Sequence, residues 1–366
     1  YYSSGIQAVF NVLAGDHDIQ AGLRIHSDEM DRFQWEDRYG MQSGQLVMTT
    51  QATKGSDSNR IDSAEATALF VEDRFTTGAM TITAGARYEE ITVKRDDWGK
   101  TDPDRSETPS KREHTIDVVV PGIGVEYAIN ESQTVSVGIH KGFAPPGPGT
   151  SGVTDKAVDP ETSMNTEIGF KSNKGLNSLE FTLFMNSYDN LLGADTAASG
   201  GGSDDLFNGG AVDISGFELY LRRILVDNGR IQMPLELAWT NTNSEFQESF
   251  DGFWGDVSKG DELPYLPDTM IALNLGLNVD KISANISMKK TSEMRTVAGS
   301  GSISGSNATD ELTIIDLGLR YALQDNIRLS VGINNFMDDD GVVSRRPYGA
   351  RPTMPRSFSL GVDYTF

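Results

Sequence analysis

The chain contains no cysteine. A disulfide framework and thiolate metal centres are excluded, and the absence suits a protein exported through an oxidising periplasm. Long apolar runs are missing too. No stretch approaches the roughly 18 residues that a membrane helix needs, so helical spans are excluded. Positive charge is scarce: 31 Lys and Arg against 53 Asp and Glu give a net charge of −22. So acidic a chain repels phosphate backbones, which argues against nucleic acid as a partner. The opening Tyr1-Tyr2-Ser3 shows neither Met nor a charged-then-apolar signal segment. Either a signal was removed or the sequence is an excerpt from a longer chain.

What is present is length, glycine and alternation. The 366 residues, 38 of them Gly, have a mean hydropathy of −0.36. That average reads as soluble, but a lipid-facing barrel puts only every second side chain into lipid. Phe358, Leu360, Val362, Tyr364 and Phe366 alternate with Ser359, Gly361, Asp363 and Thr365. Ile327, Leu329, Val331 and Ile333 alternate with Arg328, Ser330 and Gly332, and Val135, Val137 and Ile139 with Ser136, Gly138 and His140. Ile282, Ala284, Ile286 and Met288 do so with Ser283, Asn285, Ser287 and Lys289. Period two is the strand signature. The polar face carries Gly, Ser, Asn and full charges, as a wet lumen permits, and this favours a membrane barrel over a soluble sheet.

The connections alternate between short and long. Gly15-Asp16-His17, Thr77-Gly78-Ala79, Asn130-Glu131-Ser132, Asn173-Lys174-Gly175, Asp227-Asn228-Gly229 and Gln324-Asp325-Asn326 are turn-like, and another tight turn falls near Asp280. Between them lie long polar stretches, roughly 31–63, 96–113, 145–163, 193–210, 245–267, 297–310 and 338–355, rich in Gly, Ser, Asp and Pro. Outer-membrane barrels have short periplasmic turns and long outer loops. The pattern predicts an all-β, antiparallel transmembrane β-barrel wall of about fifteen strands. Gln45–Gln51 is either a strand inside the first long loop or a further wall strand. Single-chain bacterial barrels normally have an even strand count, so an odd one suggests that the chain begins mid-barrel.

Several segments resemble one family. Val331-Gly332-Ile333-Asn334-Asn335-Phe336-Met337-Asp338 is similar to the penultimate-strand G-x-x-N-L-F-D pattern of TonB-dependent receptors, departing from it at Asn335-Phe336-Met337. Thr162-Ser163-Met164-Asn165-Thr166-Glu167-Ile168-Gly169-Phe170 resembles the family's E-x-S-x-N-x-E-x-G strand, and Lys141-Gly142-Phe143-Ala144-Pro145-Pro146 its G-F-x-x-P strand end. Ser344–Pro352, Pro355–Phe358 and Asp363–Phe366 resemble the family's C-terminus. Asp31–Trp35, Gly142–Gly149 and Phe207–Gly210 look like loops of its ferric-dicitrate branch. The resemblance covers essentially the whole chain. It implies a plugged barrel of about 22 strands, of which residues 1–366 would hold the C-terminal part, about strands 8–22, with the plug domain absent. It further implies energy-coupled uptake of a ferric chelate, ferric citrate or another siderophore, across a Gram-negative outer membrane. The partners would be a citrate-type chelate, the TonB complex through the missing N-terminal plug, and outer-membrane lipid and lipopolysaccharide. The long loops would be extracellular and the C-terminus periplasmic. No cofactor and no catalytic residue are implied. Two other classes remain beside it: a passive porin, which would be complete and plug-free, and a barrel enzyme, for which no nucleophile setting is found.

The candidate ligand-binding residues follow from charge. Arg32, Arg38, Arg60, Arg295, Arg345, Arg346 and Arg351 stand in or beside long connections of an acidic chain. A citrate-type chelate is rich in carboxylates, and guanidinium grips carboxylate in a planar two-point fork. Arg38, Arg60, Arg345, Arg346 and Arg351 are the five expected to bind ligand. The bland alternative is that each is solvated or paired with a nearby acid. Loop aromatics Trp35, Tyr39, Trp98, Phe250, Phe253 and Trp254 would contact ligand or sit in the outer interfacial girdle. His17, His26, His114 and His140 lack metal-ligand spacing. Asp338-Asp339-Asp340 reads either as a hard-cation loop or as a solvated acidic one. Gly200-Gly201-Gly202 and Gly299-Ser300-Gly301 read as loop tips, since neither opens a helix.

Overall fold

A computed structural model describes residues 1–146, 159–194, 206–208, 210–252, 255–303, 305–345 and 349–365. Arg346, Phe253, Trp254, Gly200–Gly202 and the terminal Phe366 lie outside these residues.

The elements run β1 (Tyr2–Ala14), β2 (His17–Gln34), β3 (Arg38–Gln42), β4 (Gln45–Thr50), β5 (Ser58–Thr77), β6 (Met80–Asp97), β7 (Ser110–Asn130) and β8 (Gln133–Ala144). They continue with β9 (Glu161–Lys174), β10 (Asn177–Asp189), β11 (Leu192–Ala194), β12 (Leu206–Asn208), β13 (Val212–Asp227), β14 (Ile231–Phe246), β15 (Phe250–Gly252) and β16 (Gly255–Val257). The last are β17 (Thr269–Val279), β18 (Ile282–Thr291), β19 (Leu312–Gln324), β20 (Ile327–Asn334), β21 (Val342–Ser344), β22 (Arg351–Pro352) and β23 (Ser357–Tyr364). A single 3-10 turn, Gly305–Asn307, breaks the all-β pattern among the described residues.

Fifteen strands pair antiparallel in one sheet, in the order β1-β2-β5-β6-β7-β8-β9-β10-β13-β14-β17-β18-β19-β20-β23. The expected strand count is met. Among the described residues neither β1 nor β23 has a second neighbour, so both leave a row of unpaired backbone groups. The other eight strands form four two-stranded hairpins within the long connections. Gln45–Thr50 is one of these, pairing with β3 rather than entering the wall.

Tight turns close the other end. Gly78 (φ 58) and Asp280 (φ 50) take the left-handed backbone that such turns need. The register then fixes the faces. Ile327, Leu329, Val331 and Ile333 pair with Tyr364, Val362, Leu360 and Phe358 on one face. Arg328, Ser330 and Gly332 pair with Asp363, Gly361 and Ser359 on the other. The apolar row continues through Leu319 and Tyr321, and in β8 through Val135, Val137 and Ile139 against Phe170, Ile168 and Thr166. Leu360 is 84% exposed and Val137 48%, as expected of side chains whose neighbour is lipid.

The four strands β2, β5, β6 and β7 are longer than the alternation suggests. Each runs into stretches expected to be loop. Twenty residues of β5 extend about 66 Å. Even when tilted they rise about 20 Å beyond an apolar band of about 25 Å. This projecting hairpin wall is stabilised on its inner face by Ala66, Ile91, Val93 and Ile116, all buried, with Ala64 and Phe143 against them.

Candidate functional site

At the long-loop end, the inner face of that wall carries an arginine cluster. Arg60 and Asp62 are two residues apart on β5 and so point the same way. Arg32 stands opposite Arg60, Arg95 opposite Asp62, and Arg112 opposite Arg95. Arg95 Nε and Nη2 donate to the two oxygens of Asp62 at 2.5 and 3.1 Å, and Arg60 Nε donates to Asp62 Oδ2 at 3.2 Å. Asp62 and Arg95 are buried. Arg32 donates to Gln34 at 2.8 Å. Asp97 stands opposite Arg60. Arg32, Arg60, Arg95 and Arg112 therefore gather around Asp62 and Asp97 at the mouth of a strongly acidic chain. Like charges directly opposite on a sheet repel, so Arg32–Arg60 and Arg95–Arg112 favour anions between them.

The loop beside this cluster is held rigidly. Arg105 lies between the rings of Trp98 and Phe33, 4.7 and 5.3 Å from their centroids. It donates to both oxygens of Asp31 and to Asn59. Asp102 accepts from the Ser106 and Glu107 amides at 3.0 and 2.9 Å, which holds its carboxyl below the usual range. Trp98 and Phe33 thus serve the loop's own structure.

A second loop cluster forms around β14, β17, β18 and β19. Val212, Phe246 and Val257 make a small buried core with Phe250 against it. Arg295 pairs with Glu262 and donates to the Gly301 carbonyl. Arg345 donates to the carbonyls of Ala308 and Gly305, and its amide donates to the Tyr265 hydroxyl. Burial pushes the Asp268 carboxyl up, with Glu262 adding to the effect. In the acidic turn, Asp339 accepts from the Thr313 amide at 2.7 Å and Asp338 from the Arg356 amide at 2.9 Å. The described residues contain no group of three metal-ligating side chains.

The five expected ligand residues are therefore dispersed. Arg60 belongs to the cluster on the inner wall. Arg38 is exposed on the β3–β4 hairpin, and Arg351 is exposed on β22. Arg345 is engaged by loop carbonyls, and Arg346 lies outside the described residues. Arg38 and Arg60 rise near the β1 edge, whereas Arg345 and Arg351 lie beside the β23 edge. Arg95 and Arg112 were absent from the sequence-based set. Their parity with Ile91, Val93 and Ile116 is the signal that reveals them.

The family described as TonB dependent receptor-like, beta-barrel matches residues 1–336. The chain belongs to the TonB-dependent receptor family. Among curated proteins none matches its sequence. Solved receptor structures match its fold. The ferric-catecholate import receptor Fiu from E. coli K12, in its closed form, is 17% identical with a TM-score of 0.73, over 100% of this chain and 54% of its own. The ferric yersiniabactin uptake receptor FyuA from Yersinia pestis is 16% identical with a TM-score of 0.72, over 100% and 54%. The ferric citrate transporter FecA, unliganded, is 18% identical with a TM-score of 0.72, over 100% and 54%. The chain spans about half the length of each. Fiu and FecA match almost equally well, so likeness of fold does not separate a catecholate from a citrate chelate.

Proposed function

We propose that this TonB-dependent receptor barrel is the C-terminal part, about strands 8–22, of an outer-membrane receptor that takes up a ferric chelate. The parent receptor carries a plug, through which the TonB complex supplies the energy. The barrel itself binds and conducts, and breaks no covalent bond. The long connections face outward, and the short turns face the periplasm.

One observation supports an anionic, citrate-type cargo above others. An acidic chain of net charge −22 concentrates Arg32, Arg60, Arg95 and Arg112 on the inner face of its mouth. Field lines from such a patch draw in an anion that the rest of the surface repels. Carboxylates of the chelate would share the guanidiniums now grouped around Asp62, joined by loop residues among Arg38, Arg345, Arg346 and Arg351. The test is a titration of the full-length receptor with ferric citrate, beside a catecholate and a hydroxamate ferric chelate. Saturable binding of ferric citrate, lost at high salt, is expected. Preference for a catecholate overturns the cargo assignment, and free diffusion of small sugars through the reconstituted receptor overturns the receptor reading in favour of a passive channel.

A further inference from the structure

The first long connection carries a hairpin that the arginine cluster leaves unused. β3 and β4 lie between Gln34, where β2 ends, and Ser58, where β5 begins, and among the described residues they pair only with each other. Tyr39 pairs with Met48 and Met41 with Leu46. Partners across an antiparallel pair share a face, as do residues two apart along a strand. These four large side chains therefore form one apolar face. Met41 is 69% exposed and Leu46 67%, and Tyr39 and Met48 are exposed as well. The other face holds Gly40 with Val47 and Gln42 with Gln45. A two-stranded hairpin with both faces in water is marginally stable, and a contiguous exposed apolar patch marks an interaction site.

The patch fits one kind of occupant. Residues 38–56 hold Arg38 and Lys54 and no Asp or Glu, in a chain whose 366 residues include 53 acids. The hairpin is a basic, apolar island, complementary to an anion that carries an apolar part. Four side chains are too few for a stable protein interface, which takes roughly 20–30 residues a side. A membrane fits poorly too. The hairpin tip, Gln42-Ser43-Gly44-Gln45, is polar, and the apolar pairs lie nearer the base. That base stands at the top of β2 and β5, about 20 Å above the apolar band. β3 extends about 17 Å, so even laid back along the wall it stays above the lipid. Beneath the base, one same-face step down the β2–β5 ladder, Arg32 stands opposite Arg60. The apolar face and the arginine row proposed to receive carboxylates therefore belong to one loop and its roots.

We infer that this face binds a long alkyl tail on the cargo: the ferric chelate is amphiphilic, with a citrate-type head for the arginines and an alkyl chain that lies across Tyr39, Met41, Leu46 and Met48. Unbranched, polarisable Met side chains adapt to such a chain. Arg38, paired with Thr50 at the base of the hairpin, stands at the head-group end. The tail site rests on the proposed uptake of a carboxylate chelate and narrows the class of cargo.

The test is a titration of the full-length receptor in lipid nanodiscs with the ferric complexes of the methyl and the dodecyl monoamide of citric acid. Each is kept below its micelle concentration, and uptake by empty nanodiscs is subtracted. Covering several methylenes predicts at least about tenfold tighter binding of the dodecyl form. Met41→Gln combined with Leu46→Gln should bring that ratio to about one. Both side chains are exposed, so the barrel should assemble as before. Equal affinity of the two forms for the parent overturns the tail site and leaves the uptake proposal standing. A ratio kept in the double variant overturns it too. So does displacement of the dodecyl chelate by equimolar iron-free dodecanoate, which would mark a surface for any anionic amphiphile. Binding of neither form overturns the citrate-type cargo and the tail site together.

Discussion

Replacing Arg95 by Ala removes a guanidinium that contacts both oxygens of Asp62 in a buried pair. Among the described residues Asp62 then keeps its contact to Arg60 Nε at 3.2 Å. Breaking a fully buried pair typically destabilises by about 3–5 kcal/mol. The surviving Arg60 contact should reduce this to about 2–3 kcal/mol, because the carboxylate is left under-solvated rather than unpaired. Asp62→Asn in the Arg95→Ala background removes the charge left behind, so the double variant should be more stable than the sum of the two single losses by about 1–2 kcal/mol. Urea unfolding of the full-length receptor in micelles, followed by intrinsic fluorescence, measures all three. Arg38→Ala is the control, since Arg38 is exposed and its side chain has no partner among the described residues; it should shift stability by less than about 0.5 kcal/mol. Additive losses in the double variant, or equal losses for Arg38→Ala and Arg95→Ala, would refute the assignment of Asp62 as the shared centre of the cluster.

Further outcomes follow from the same geometry. Because the chain has no cysteine, single cysteines placed through Ile327–Asn334 can carry spin labels, and accessibility to oxygen should alternate with that to a water-soluble relaxer at period two, high to oxygen at Leu329 and Val331; a flat profile contradicts the lipid-facing assignment. Gly216→Val should impair assembly, with a cost of at least about 1–3 kcal/mol, because a Cβ there would collide with the Asn241 carbonyl oxygen; heat-modifiable gel mobility reads the result, and parental mobility opposes the register. Asp102 has its carboxyl lowered by the Ser106 and Glu107 amides, so its contribution to loop order should be complete above the ordinary carboxylate range and lost as pH falls through its own lower value. Amide exchange of residues 102–107 should accelerate only on that acid side, and acceleration on going to alkaline pH beyond the chemical rate contradicts the capping role.

Much of the wall was legible because lipid imposes a period-two code. Phe358–Val362 and Ile327–Ile333 show their faces without any structure, and Asn, Asp and Gly mark the turns. The limit of the wall was not legible. Above the membrane both faces of β5 and β6 meet water or loops, so apolar alternation fades and residues such as Asp62, Asp96 and Asp97 read as loop although they continue the ladder. The mouth was harder still. Arg60 was visible as an isolated basic residue, yet Arg95, which shares Asp62 with it, and Arg112, which stands opposite Arg95, come from strands whose register no local pattern specifies. Arg345 illustrates the converse: its charge suggested ligand, but its guanidinium holds the carbonyls of Ala308 and Gly305, contacts more than thirty residues away in sequence.

The most direct test of the central claim is binding of iron-labelled ferric citrate to cells carrying the full-length receptor, with parent, Arg60→Ala and Arg112→Ala receptors compared at matched surface levels. The account predicts saturable binding by the parent, competed by unlabelled ferric citrate, and weakened by about 2–5 kcal/mol where a buried two-point contact is lost. Parental binding in both variants would remove the arginine cluster from the site, and the absence of saturable binding to citrate, catecholate and hydroxamate ferric chelates alike would contradict the proposed uptake function.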